Sequence, residues 1–270
     1  MVFCGIQKES IRIRFFSIFE RIILQSLKKS LQLAAQTNYT MSTKYLSVDT
    51  NAKTIKGQKL GFLTGILYLS PANESGKNLC PHASIGCKAA CLYTAGRGAM
   101  SNVSNARMAK TLAFLSNRKE FASQLKADIA FIKRKAAKTG MTPCIRLNGT
   151  SDLPWHNVES IMQENADVQF YDYTPNPFRM MEYLRGELPA NYHLTFSRKE
   201  DNDGWVETIL DKGGNVAVVF SGSLPASYKG KAVINGDESD LRFLDAKNVV
   251  VGLKAKGKGK KDLSGFVVQM

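Results

Sequence analysis

The sequence predicts an α/β fold: a complete or partial (β/α) barrel of mostly parallel strands, with a cysteine loop after the first strand. Three observations predict it. Short apolar runs recur along the chain, the earlier ones separated by helical or irregular segments, and strands alternating with helices build βα units and parallel sheet. Polar residues stand just past most of these runs, where the C-terminal ends of barrel strands gather. The chain's 270 residues also accommodate an α/β barrel, which takes about 200–250.

Residues 1–40 stand apart. Ile11, Ile13, Phe15, Phe16, Ile18, Phe19, Ile22, Ile23, Leu24 and Leu27 form an apolar stripe with Lys and Arg between them, the pattern of a basic amphipathic helix. It reads either as a membrane-surface or partner-binding helix or as a stretch upstream of a start at Met41. The expected organisation is therefore an N-terminal extension over 1–40 and one barrel-like domain over 41–270.

Within that domain the first strand candidate is Leu60–Leu69, closed by Pro71 and the turn residues Asn73, Ser75 and Gly76. A long helix is expected from about Asn102 to Lys138, where Met108, Leu112, Leu115, Phe121, Leu125, Ile129 and Ile132 keep helical spacing. Further strands are expected at Cys144–Leu147, Val168–Tyr171, His193–Phe196, Val216–Phe220, Ala232–Ile234 and Val249–Leu253, with helical or irregular segments such as Asn157–Glu164 and Trp205–Lys212 between the earlier ones. A doubly wound open sheet is the alternative architecture.

Lys and Arg total 37 against 23 Asp and Glu, a formal net charge of +14. This excess suits a merely soluble basic surface or anionic partners: nucleic acid, nucleotides or phosphorylated metabolites. No stretch approaches the roughly 20 apolar residues of a membrane span, and residues 1–40 lack the clean apolar core of a secretory signal. Five cysteines, an odd number, include three in one short loop. Reduced thiols in a cytoplasmic protein fit this better than a secreted disulfide scaffold.

The loop reads Cys80-Pro-His-Ala-Ser-Ile-Gly-Cys87-Lys-Ala-Ala-Cys91, with six and then three residues between cysteines. Such close thiolates can converge on one metal centre, and three ligands leave a coordination position open for chemistry. An iron–sulfur cluster is the first expectation. A zinc site with His82 as fourth ligand is the second. Past the other strand ends stand Asn148, Gly149, Thr150, Ser151 and Asp152, then Asp172 and Tyr173, Ser197 and Arg198, Asn235, Asp237 and Asp240, and Lys254 and Lys256. Asp152, Asp172 and Asp237 are the candidate catalytic residues, with Asn148, Gly149, Ser151 and Arg198 as candidate cofactor contacts. Trp155, Tyr171 and Tyr173 could stack on a base, while His156 and His193 have no evident catalytic partner in sequence.

From Ser47 to Val268 the chain resembles the gene product 88 family of tailed phages. The carrying segments are Asn51–Gly57, Leu63–Tyr68, Cys80–Gly98, Arg146–Asp152, Phe170–Thr174, Leu194–Arg198, Asn235–Asp237 and Gly252–Gly257. The resemblance implies a phage or prophage origin, and so the cytoplasm of a host cell. The cysteine loop is also similar to that of radical S-adenosylmethionine enzymes, which place three cysteines after the first strand of a partial barrel. In those enzymes the cluster's open iron binds S-adenosylmethionine. Here the spacing departs from their three-then-two arrangement, and Gly149-Thr150-Ser151-Asp152 stands where their glycine-rich element would be. The leading expectation is thus a 4Fe–4S enzyme of that kind acting on a nucleotide, nucleic acid or other anionic substrate. The alternatives are a zinc-stabilised nucleic-acid-binding protein and a metal-free barrel enzyme of nucleotide metabolism.

Overall fold

The computed structural model describes residues 44–49, 52–158 and 160–270. The amphipathic stripe expected over 1–40 lies outside the described residues.

Among the described residues nine strands form one sheet: β1 (Leu46–Ser47), β2 (Phe62–Leu67), β3 (Thr142–Arg146), β4 (Gln169–Thr174), β5 (Tyr192–Ser197), β6 (Val216–Phe220), β7 (Ser227–Tyr228), β8 (Lys231–Asn235) and β9 (Val250–Lys254). Their spatial order is β1-β2-β3-β4-β5-β6-β9-β8-β7. β2 to β6, β9 and β8 run parallel, and β1 and β7 each pair antiparallel with one neighbour. All seven expected strands are present, but the sheet is open. A complete barrel is not formed, because β1 and β7 end the sheet as two-residue edge strands, short enough to discourage further pairing.

Six helices accompany the sheet among the described residues: α1 (Ala52–Gln58), α2 (Ile85–Ala89), α3 (Ser101–Ser116), α4 (Arg118–Thr139), α5 (Pro177–Leu184) and α6 (Asp203–Asp211). The single helix expected over Asn102–Lys138 is two. Asn117 leaves helical geometry at φ −148 and its side chain accepts from Glu120 N, capping α4 as Asn does at an N-terminus. Gly140, at φ 64, ends α4 in the left-handed region. The helical or irregular segment expected over Asn157–Glu164 is irregular, with 3-10 turns at Trp155–Asn157 and Gln163–Asn165. Ser160 at φ 51 interrupts any continuous right-handed helix there.

The register sorts side chains between the two faces of the sheet. A Cβ at Gly65 would lie 2.3 Å from Ile132 Cδ1 and 3.0 Å from Ile145 Cδ1, so α4 packs on the face that Gly65 and Ile145 share. Gly65 pairs with Ile145 and Ile145 with Phe170. Alternation then places Phe170, Asp172 and Thr174 on this helix-bearing face. Cys144, Arg146, Tyr171 and Tyr173 point to the opposite face, with His193 and Thr195 opposite the two tyrosines in β5. There Cys144, Tyr171 and Phe62 of the sheet pack with Leu241 and Phe243, residues of the β8–β9 connection covering this face.

Candidate functional site

Parallel strands joined by right-handed crossovers present their C-terminal ends along one edge of the sheet. The cysteine loop follows β2, Asn148–Asp152 follow β3, Arg198–Glu200 follow β5, and Asp237 follows β8. Asp172 lies inside β4, two residues before its end.

Neighbouring loops stitch the cysteine loop in place. Gly149 N donates to Leu67 O at 3.0 Å and Asp152 N to Leu79 O at 2.9 Å, and Thr150 Oγ1 donates to Leu69 O. A Cβ at Gly149 would sit 2.6 Å from the Leu67 carbonyl oxygen, so glycine is needed there for backbone contact between the two loops. Ser84 caps the short helix α2 by accepting from Cys87 N at 3.1 Å. Glu200 clasps the same turn, accepting from Ser84 Oγ at 2.6 Å and Gly86 N at 2.7 Å.

The three thiols are mutual neighbours. Burial, with Cys91 adding to it, pushes Cys80 up to about 11, and burial, with Cys91 and Cys80 adding to it, pushes Cys87 up to about 12. Cys91 is raised by burial and eased downward by nearby backbone N–H groups and Arg107. Ala72 N donates to Cys80 Sγ at 3.4 Å, and Cys80 Sγ faces Thr150 O at 3.7 Å. Among the described residues no group of three or more His, Cys, Asp or Glu could hold a metal ion. The centre expected at Cys80, Cys87 and Cys91 is therefore not preformed as a single-ion site. The four described cysteines, these three and Cys144, are free.

Asp152 lies next to this loop: it raises the Cys80 thiol, and His82 acts on Asp152 in turn. Its Oδ1 accepts from Arg179 Nη1 at 2.7 Å and Thr174 Oγ1 at 2.9 Å. Oδ2 is buried without a hydrogen-bond partner. Asn148 organises the turn, its Oδ1 accepting from Ser151 Oγ and Leu153 N, each at 2.9 Å. Arg198 is engaged by Asp203 at 3.3 Å and donates to Gly265 O and Phe266 O. Asp237 sits among lysines, paired with Lys256 and accepting from Lys254 N at 3.1 Å.

Asp172 is fully buried on the helix-bearing face. It accepts from Asn148 N at 2.7 Å, Asn148 Nδ2 at 3.2 Å and Tyr192 Oη at 3.1 Å. Burial still outweighs these donors and Arg146, and lifts its carboxyl to about 7. The folded state therefore keeps this proton to higher pH than the unfolded chain does. The resulting stability is full below about pH 4 and is lost as pH rises through 7. At 1.36 kcal/mol per pKa unit the change is at most about 4 kcal/mol. Asp172→Asn is expected to flatten the stability profile between pH 4 and 7 in urea titrations; an unchanged slope would show that Asp172 is not its source.

The opposite face carries residues that the sequence left out of the site. Arg146 pairs with Asp240 at 2.9 Å, its guanidinium 4.7 Å from the Tyr173 ring. Arg242 pairs with Asp245 at 3.2 Å. His193 Nδ1 lies 3.0 Å from Tyr183 Oη; burial, then Arg242, holds its pKa near 4. Only the fold could reveal this set, because its members come from β3, β4, β5 and the β8–β9 connection.

A family profile described as Gene product 88 matches residues 42–269. No curated protein matches the chain, and no solved structure does. Among the described residues no helix is long and apolar enough to cross a membrane.

Proposed function

The chain belongs to the gene product 88 family, and from that premise we propose that it is an iron–sulfur enzyme. Cys80, Cys87 and Cys91 would take a 4Fe–4S cluster, with S-adenosylmethionine at the open iron and a nucleotide, nucleic acid or other anionic substrate. The observation that carries this reading is the gathering of three thiols at the C-terminal edge of the parallel sheet, each raising or raised by another. The unpartnered Asp152 Oδ2 beside Cys80 adds to it, since a buried carboxylate oxygen with no donor marks a place where a ligand belongs.

Each role follows from placement. The cysteines bind as thiolates, so their burial-raised pKa values mean that loading releases protons and strengthens with pH. Glu200 and Ser84 hold the turn that carries Cys87. Asp152, fixed by Arg179 and Thr174, orients a donor group of the bound molecule with its free oxygen. The cluster, when bound, supplies one-electron chemistry.

The test is electron paramagnetic resonance of protein reconstituted with iron and sulfide without oxygen, then reduced. Adding S-adenosylmethionine is expected to shift the cluster signal, and Asp152→Asn to weaken that response. A cluster signal indifferent to S-adenosylmethionine would end that part of the reading.

A further inference from the structure

We infer that the sheet face opposite α4 holds a second, donor-rich binding site, for a small molecule bearing a carboxylate or phosphate group. Native proteins leave few buried polar atoms without partners, so a concentration of them in one place calls for an occupant. Among the described residues, Arg146 Nε, Tyr171 Oη, His193 Nε2, Thr195 Oγ1 and Arg242 Nε are all buried and unpartnered. Asp152 Oδ2, Trp155 Nε1 and His156 Nδ1 are also unpartnered, but Asp152 belongs to the cysteine-side loop and the other two to the turn after it. Arg242 Nη1 and Asp245 Oδ2, likewise without a hydrogen bond, face each other as an ion pair at 3.2 Å.

Register brings the five together. Arg146 follows Ile145, the partner of Phe170, and so stands beside Tyr171; Tyr171 in turn pairs with His193, and Tyr173 with Thr195. The 3-10 turn Arg242–Leu244 crosses β4 and β5 on this face, and Arg242 acts electrostatically on both Tyr173 and His193. Tyr171, Thr195 and Arg242 are at most 1% exposed and Arg146 7%. Tyr173 and His193 are only half-buried and mark the margin of the cluster.

The chemistry selects the ligand. The two arginine nitrogens can only donate, the two hydroxyls can donate, and the imidazole nitrogen takes either role. None of the five is an obligate acceptor. Asp240 and Asp245 already balance the arginine charges, so the need is for acceptor oxygens placed between several donors, as in a carboxylate or phosphate. This site does not rest on the cysteine reading.

The test uses the full-length protein, with and without reconstituted iron, titrated calorimetrically with inorganic phosphate and separately with acetate. Saturable binding of one probe, independent of iron, is expected, and the probe that binds names the group. Thr195→Val and Tyr171→Phe each delete one hydroxyl at nearly constant shape, and their folding is checked by circular dichroism. Each is expected to weaken binding roughly tenfold. Saturation by neither probe, affinity unchanged in both variants, or a crystal soaked in the probe showing only ordered water at these atoms would overturn the inference.

Discussion

Replacing Arg179 with methionine is expected to lower the unfolding free energy by about 3–5 kcal/mol. Arg179 and Asp152 are 2.7 Å apart with side chains 4% and 5% exposed, so removing the guanidinium strands a buried carboxylate. The methionine keeps the packing of α5, which isolates the charge effect. The Arg179→Met/Asp152→Asn double variant is expected to recover part of the loss, because the stranded charge is gone. Urea denaturation of the two variants measures both quantities. A single-variant loss below about 1 kcal/mol would mean that the pair is effectively solvated, and Asp152 could not then be the fixed side chain that the site requires.

Trp155→Ala is expected to cost about 3–5 kcal/mol, the range for emptying a large aromatic site. Trp155 is fully buried, with ring centroids 5.4 Å from Phe114 and 6.3 Å from Phe121. It therefore anchors the loop bearing Asn148–Asp152 onto α3 and α4. A cavity here loosens the segment that holds Asp152 against the cysteine loop. Trp155→Phe retains most of the contact area and is expected to lose less than half as much. If both variants denature at the wild-type urea concentration, the loop is held by its hydrogen bonds alone.

The parallel sheet is legible chiefly through strands such as β2 and β6, short apolar runs largely buried on both faces, with Val, Leu, Ile or Phe at most positions. The edge strands β1 and β7 are not, since two residues carry no periodicity. Helix α5 was missed although it had a signal: Asn176 accepts from Phe178 N and Arg179 N, and Pro177 opens the helix, a recognisable start. Missing α5 hid Arg179, and with it the reason Asp152 is buried. Asp152 and Asp172 were legible as polar residues near strand ends, but sequence alone could not separate a carboxylate held by Arg179 from one held near neutrality by burial. His193 stands alone in the sequence; its neighbours Tyr171, Thr195 and Arg242 reach it only through strand register and the long β8–β9 connection. The close approach of the Gly149 backbone to the Leu67 carbonyl carries no signal in the sequence beyond the glycine itself.

The central claim is that three cysteines hold one cluster. Its most direct measurement is iron and acid-labile sulfide per chain after anaerobic reconstitution, in the wild type and in the Cys80→Ser/Cys87→Ser/Cys91→Ser variant. About four iron and four sulfide per wild-type chain, as a 4Fe–4S cluster requires, and near none in the variant is the expected result. Failure of the wild type to take up iron and sulfide, or equal uptake by the variant, would contradict it.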